Sequence, residues 1–187
     1  MALSGRVFGS VFSIRRDEAA TAGLMFLYSF LAMTGYNVLR PITRSKFIAA
    51  LGADNLPYVL LVAGVLIAVL MQGYSRATGL VPQRWAIPSA QLGMAAILVA
   101  FWFLFGTGAV WVSVAFYLFG LILGILLISQ FWTVANLVYD PRQAKRMFGF
   151  IGGGAPLGGI AGSALAASAE RLGSPTLLLI SAVLMMR

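Results

Sequence analysis

Apolar residues run through this chain in long unbroken stretches, with polar residues gathered between them. No residue from about Ala19 to Leu39 is charged, and comparable runs extend from about Leu56 to Gly73, Trp85 to Phe105, Val110 to Val138 and Phe148 to Ala167. Each is near the roughly 20 residues an α-helix needs to cross a bilayer's hydrocarbon. Continuous rather than alternating polarity argues against β-barrel strands. A sixth run follows Pro175 and reaches only Met186, which is too short to cross. We read it as a helix cut short in a piece of a longer protein; a short re-entrant end is the alternative. The first run is too long for the apolar part of a signal peptide, and no small-x-small cleavage site follows it, so it is read as retained. The pattern predicts an all-α integral membrane protein. Residues 1–18 form a terminal segment and residues 19–187 a six-transmembrane-helix bundle with its sixth helix truncated.

Composition agrees and removes chemistry. Of 187 residues, 60% are hydrophobic and 10% charged, against about 45–50% and 25% in a soluble domain. With no Cys and no His, there is no thiol nucleophile, Cys-ligated metal or His-based triad. The 5 acidic residues leave little for a metal cage, and no catalytic constellation, metal site or cofactor is expected. The net charge of +8 is read as topology rather than nucleic-acid binding. With the N-terminus inside, Arg6, Arg15, Arg16, Arg76, Arg84, Arg142, Lys145, Arg146 and Arg187 lie on the inner side. Arg40, Arg44, Lys46 and Arg171 lie outside. That bias predicts a multi-pass protein with a cytoplasmic N-terminus. Tyr58, Tyr74, Trp85 and Trp111 fall at predicted interfaces, where amphipathic rings are enriched.

Polar residues inside a span are costly and therefore informative. Ser129, Thr133, Asn136 and Asp140 are spaced 4, 3 and 4 apart, which is one helical face, with Gln130 beside it. Such a stripe faces other helices or a wet cavity. Asn37, Arg40 and Arg44 are spaced 3 and 4, with Tyr36 near that face and Lys46 just beyond. If the helix continues through Pro41, the two guanidinium groups point the same way one turn apart, as phosphate or carboxylate recognition requires. Interfacial snorkelling of the same side chains is the alternative. Tyr36 or Trp132 offers a ring for stacking, although packing is the commoner role. Gly154, Gly158, Gly162 and Ala166 recur every four residues, a ladder that lets another helix approach closely. No Lys follows these glycines as a phosphate loop would need. Pro156 is expected to kink this helix. In YDPRQAKR (Tyr139–Arg146), Asp140 is placed to pair with Arg142 or Arg146 as an inner gate or a static clamp.

The stretch FWTVANLVYDPRQAKRMFGFIGGGAPLGG (Phe131–Gly159) resembles the ATP/ADP translocase-type nucleotide transporter family, including its bacterial major-facilitator-like relatives. YNVLRP (Tyr36–Pro41) is similar to that family's YxxLRP signature. After it this chain reads ITRSK, without the acidic residue usual there, and Ala135–Asn136 is followed by Leu137 and Val138. The resemblance implies a major-facilitator-like fold of two six-helix bundles around a central site, this chain being the N-terminal bundle and the remainder of the same protein its partner. It implies nucleotide transport, as an ATP:ADP antiporter of the bacterial inner membrane. Arg40 falls on the family's Arg. The expected substrate-binding set is Tyr36, Asn37, Arg40, Arg44, Lys46, Gln130, Thr133 and Asn136, with Asp140, Arg142 and Arg146 as the gate and Gly154, Gly158 and Gly162 as helix packing. The expected partners are a nucleotide or other anionic small molecule and membrane lipid. Transport of another organic anion, or a membrane anchor or sensor module, is the alternative.

Overall fold

A computed structural model describes residues 16–80 and 83–168. Among these residues there is no strand, and five helical spans are long and apolar enough to cross a membrane. The helices are α1 (Arg16–Leu51), α2 (Leu56–Leu80), α3 (Gln83–Leu104), α4 (Val110–Val138), α5 (Pro141–Gly152) and α6 (Gly154–Ala167). The last two together make the fifth span. The sixth apolar run lies outside the described residues.

The α1 helix is much longer than its uncharged stretch. It continues through Pro41 to Leu51, 36 residues in all, or about 54 Å at 1.5 Å per residue. Pro41 has no N–H to give the carbonyl of Asn37, so one rung of the ladder is missing there. The helix stops at Gly52, whose φ of 81° is a left-handed conformation open to glycine, and whose N–H bonds the Ile48 carbonyl at 2.9 Å. A single 3₁₀ turn (Ala53–Asn55) then leads into α2.

The α4 helix matches its expected limits, Val110–Val138, and contains no charged residue in its 29 positions. Its end is set by the Asp-Pro pair. A residue before proline is driven away from helical backbone, and Asp140 accordingly has φ −65° and ψ 153°. Asp140 is the N-cap of α5, Pro141 takes its first turn, and the Asp140 N–H is donated to Gln143 Oε1 at 3.4 Å.

The fifth span begins earlier than its apolar run and breaks between α5 and α6 at Gly153. Pro156 is the cause. Its ring crowds the carbonyl of the residue four positions back, Gly152, and it cannot donate to that carbonyl. The expected kink therefore appears one turn upstream of the proline, as a break.

α1 runs through the centre. α4 packs antiparallel to it: Tyr28 stacks near Phe131 with ring centroids 6.1 Å apart, and Phe47 meets Tyr117 at 4.9 Å. α6 packs parallel to it, because the glycine ladder climbs α1 in step. A Cβ at Gly154, Gly158 or Gly162 would collide with the carbonyl oxygen of Phe26, Phe30 or Thr34 respectively. The two backbones thus touch at three successive turns, as small-xxx-small packing allows. One buried cluster around Leu39, Leu98, Phe116 and Leu123 joins α1, α3 and α4. Another, around Met25, Phe131, Met147 and Ile151, joins α1, α4 and α5. α2 is peripheral; Leu61 and Val65 are exposed, and among the described residues Ala63 is the buried apolar residue it contributes.

Candidate functional site

The length of α1 changes where its cations stand. Gly124 is the middle residue of the uncharged α4, and a Cβ there would strike the Tyr36 ring. Gly120, one turn nearer the start of α4, similarly receives Thr43. Tyr36 therefore sits level with the centre of α4. Arg40 lies between these two contacts, about 6 Å along α1 from Tyr36. An arginine expected near the outer end of a span is thus close to half-way along the bundle.

Arg40 and Arg44 are both exposed and one turn apart on a continuous helix. Neither makes an ion pair among the described residues. A charged side chain at this level of an apolar bundle is expensive unless it faces water, a ligand or another protein surface. The missing rung at Asn37 lies within the same turn, and the Thr43 hydroxyl bonds the Arg40 carbonyl at 2.9 Å.

Lys46 is not part of this pair. Two residues beyond Arg44, it is turned well away on the helix, and its Nζ lies over the Phe105 ring at 5.1 Å from the centroid. That is a cation–π contact between α1 and the turn before α4. Lys46 lines a separate recess of about 220 Å³ with Phe105, Gly108 and Ser113. Asn37 spends one donor on its own helix, to the Met33 carbonyl at 2.9 Å, and borders Gly159 of α6. Tyr36 is seated in the Gly124 notch as packing.

The polar stripe of α4 divides as well. Thr133 and Asn136 are exposed, and the Thr133 hydroxyl bonds the Ser129 carbonyl at 2.8 Å. Gln130 is 1% exposed and points elsewhere, donating through Nε2 to the Tyr74 hydroxyl of α2 at 3.2 Å. Its Oε1 has no partner. Gln130 is therefore an inter-helix hydrogen bond, and Tyr74, expected at an interface, turns inward to meet it. Gln91 of α3 makes a like bond to Tyr28 of α1 at 3.2 Å.

At the end of the bundle where α1 begins, the ion pair of Arg146 is with Glu18, N to O 3.2 Å. Glu18 Oε1 also accepts from Gln143 Nε2 at 3.0 Å. This carboxylate ties the start of α1 to α5, while Asp140 serves as the α5 cap. Arg142 and Arg146 are exposed and, with Glu18 and Asp140, border a wide recess of about 490 Å³. Glu18 was missed in the sequence because it stands 128 residues from Arg146, and no local spacing links them. Tyr139 is buried beside this cluster, with a hydroxyl lacking any partner. Burial first, and the Glu18 carboxylate second, push its phenol above the ordinary tyrosine range.

A cavity of about 200 Å³ opens between α1, α4 and the break before α6, with Ser29, Met33, Phe131 and Trp132 among its walls. No group of three or more metal-ligating side chains occurs among the described residues. No family model matches this sequence, and neither a curated protein nor a solved structure is significantly similar to it.

Proposed function

We propose that this chain is the N-terminal half of a secondary transporter that exchanges an anionic organic solute, in the first instance ATP against ADP, by alternating access. The reading also places it in the bacterial inner membrane with a cytoplasmic N-terminus. One observation carries it: two guanidinium groups with no ion-pair partner among the described residues lie one turn apart on the exposed face of α1, Arg40 close to the level of the middle of an uncharged helix. Arginine forks hold phosphate oxygens by paired, charge-assisted hydrogen bonds. A phosphate bound there faces no carboxylate of the described residues within ion-pair range of either arginine. Sites near mid-depth between two halves suit alternating access. Thr133 and Asn136 add exposed polar groups on α4, toward the inner half. The resemblance of Tyr36–Pro41 and Phe131–Gly159 to nucleotide transporters supplies the nucleotide.

The test is exchange of labelled ATP by the full-length protein in proteoliposomes. Charge-assisted hydrogen bonds are worth roughly 1.5–3 kcal/mol each, so Arg40→Ala with Arg44→Ala should lower exchange by about a hundredfold or more. Lys46→Ala, on the other side of the helix, should lower it less than about threefold. Exchange that survives the double arginine change would refute the proposed face.

A further inference from the structure

Ser29, Met33, Arg40 and Arg44 are spaced 4, 7 and 4 residues apart, which puts all four on one face of α1. The first two line the cavity between α1, α4 and α6. The cavity and the arginines are therefore successive stations along one helix face, about 10 to 23 Å apart by helical rise.

The cavity walls are almost entirely carbon, with the Met33 thioether, the Phe131 and Trp132 rings and Ile128 prominent. Ser29 and Trp132 are the wall residues whose side chains carry a polar group. Ser29 is 4% exposed, and its hydroxyl makes no hydrogen bond among the described residues. A recess of this size, apolar and aromatic with one spare hydroxyl, suits a flat uncharged ring. It does not suit a sugar or a second charge.

We propose, resting on the anion-binding reading of Arg40 and Arg44, that this cavity seats an aromatic end of the transported anion and recognises it by shape and contact rather than by its hydrogen-bonding edge. Stacking a base on aromatic side chains raises affinity roughly 5- to 150-fold. A single neutral hydrogen bond, all that Ser29 offers, gives roughly 2- to 12-fold. The carrier is therefore selective for a ring and tolerant of which ring. Anions without one, such as inorganic phosphate, tripolyphosphate or a sugar phosphate, bind poorly. Nucleoside triphosphates of different bases bind alike.

The experiment is calorimetric titration of the full-length protein with ATP, GTP, UTP and tripolyphosphate, repeated on two cavity-filling variants. Ile128→Trp adds bulk at a position that is 45% exposed on the rim, so it is compatible with folding even if the deeper Ala155→Leu is not. We expect the three nucleotides to agree within about tenfold and tripolyphosphate to bind at least about tenfold more weakly than ATP. Filling the cavity should bring ATP down to the tripolyphosphate level and leave tripolyphosphate unchanged. Equal binding of ATP and tripolyphosphate, or an ATP preference that survives Ile128→Trp, overturns the cavity assignment and leaves the arginine site standing. A preference for one base of well over tenfold overturns recognition by shape. Failure of all four to bind removes the anion site itself, and the cavity assignment with it.

Discussion

Gly124 and Tyr139 set the geometry of the bundle at single positions. At Gly124 a methyl group would come within 2.6 Å of the Tyr36 ring. Gly124→Ala should therefore push Tyr36 out of its notch and cost about 1–3 kcal/mol of stability, read as a fall in the melting temperature in detergent. Tyr139 should behave in the opposite sense at neutral pH. Its buried hydroxyl has no partner, and an orphaned polar group costs about 1–3 kcal/mol, so Tyr139→Phe should raise the melting temperature. Its pH dependence follows from the raised phenol. Below the ordinary tyrosine value, both folded and unfolded chains hold the neutral form, and the contribution is fully present. As pH rises past that value, near 10, the unfolded chain ionises first and stability is lost until the folded phenol also ionises. Melting curves from about pH 8 to about pH 11 should fall more steeply for the native protein than for Tyr139→Phe.

Helices in this chain were legible to the extent that their causes are local. The Arg40–Arg44 spacing and the ladder at Gly154, Gly158 and Gly162 are helical arithmetic, and both appear as read. The C-terminal end of α4 follows from Asp140–Pro141, which is equally local. What depends on a distant partner was not. The extension of α1 through Pro41 to Leu51 needs α4 beside it, since proline alone argues for a stop or kink. That extension puts Arg40 close to the level of the middle of α4 instead of at the end of its own helix. Gln130 lies beside a polar stripe in sequence yet belongs to α2 in space, because α2 brings Tyr74 to it. Lys46 looked like a third phosphate ligand because it is close in sequence; 200° of helical turn separates it from Arg44 at about 100° per residue. The position of the α5–α6 break is a further element-scale test. Pro156→Ala restores an N–H for the Gly152 carbonyl, and it should stabilise a continuous fifth span while reshaping the cavity that Gly152 lines. Increased melting temperature with altered ATP binding is the expected pair of readings.

Across the molecule, contact is unevenly shared. α1 meets α4, α5 and α6, whereas α2 leaves Tyr58, Leu61 and Val65 in the open. Such a surface is at home against lipid tails, which is how a helix so largely exposed remains part of a membrane bundle. The Glu18 contacts to Arg146 and Gln143 close the end of the bundle where α1 begins. They form a clamp between α1 and α5, which leaves the exposed Arg142 outside that ion pair. Glu18→Gln should leave folding nearly intact, since Arg146 stays 39% exposed on its side of the pair and a glutamine can still accept from Gln143. Its effect should appear in the salt dependence of melting, which the variant should lose.

The seam where two backbones meet without side chains between them has a genetic signature. In a library carrying every substitution, codons 154, 158 and 162 should accept almost nothing but glycine, because any added carbon meets a carbonyl oxygen. Codon 159 falls between them, and a Cβ added there would lie 3.7 Å from the Asn37 amide nitrogen, an ordinary contact; it should take alanine freely. The survivors of such a selection would show a period-four gap, a barcode written by one helix on the gene of another.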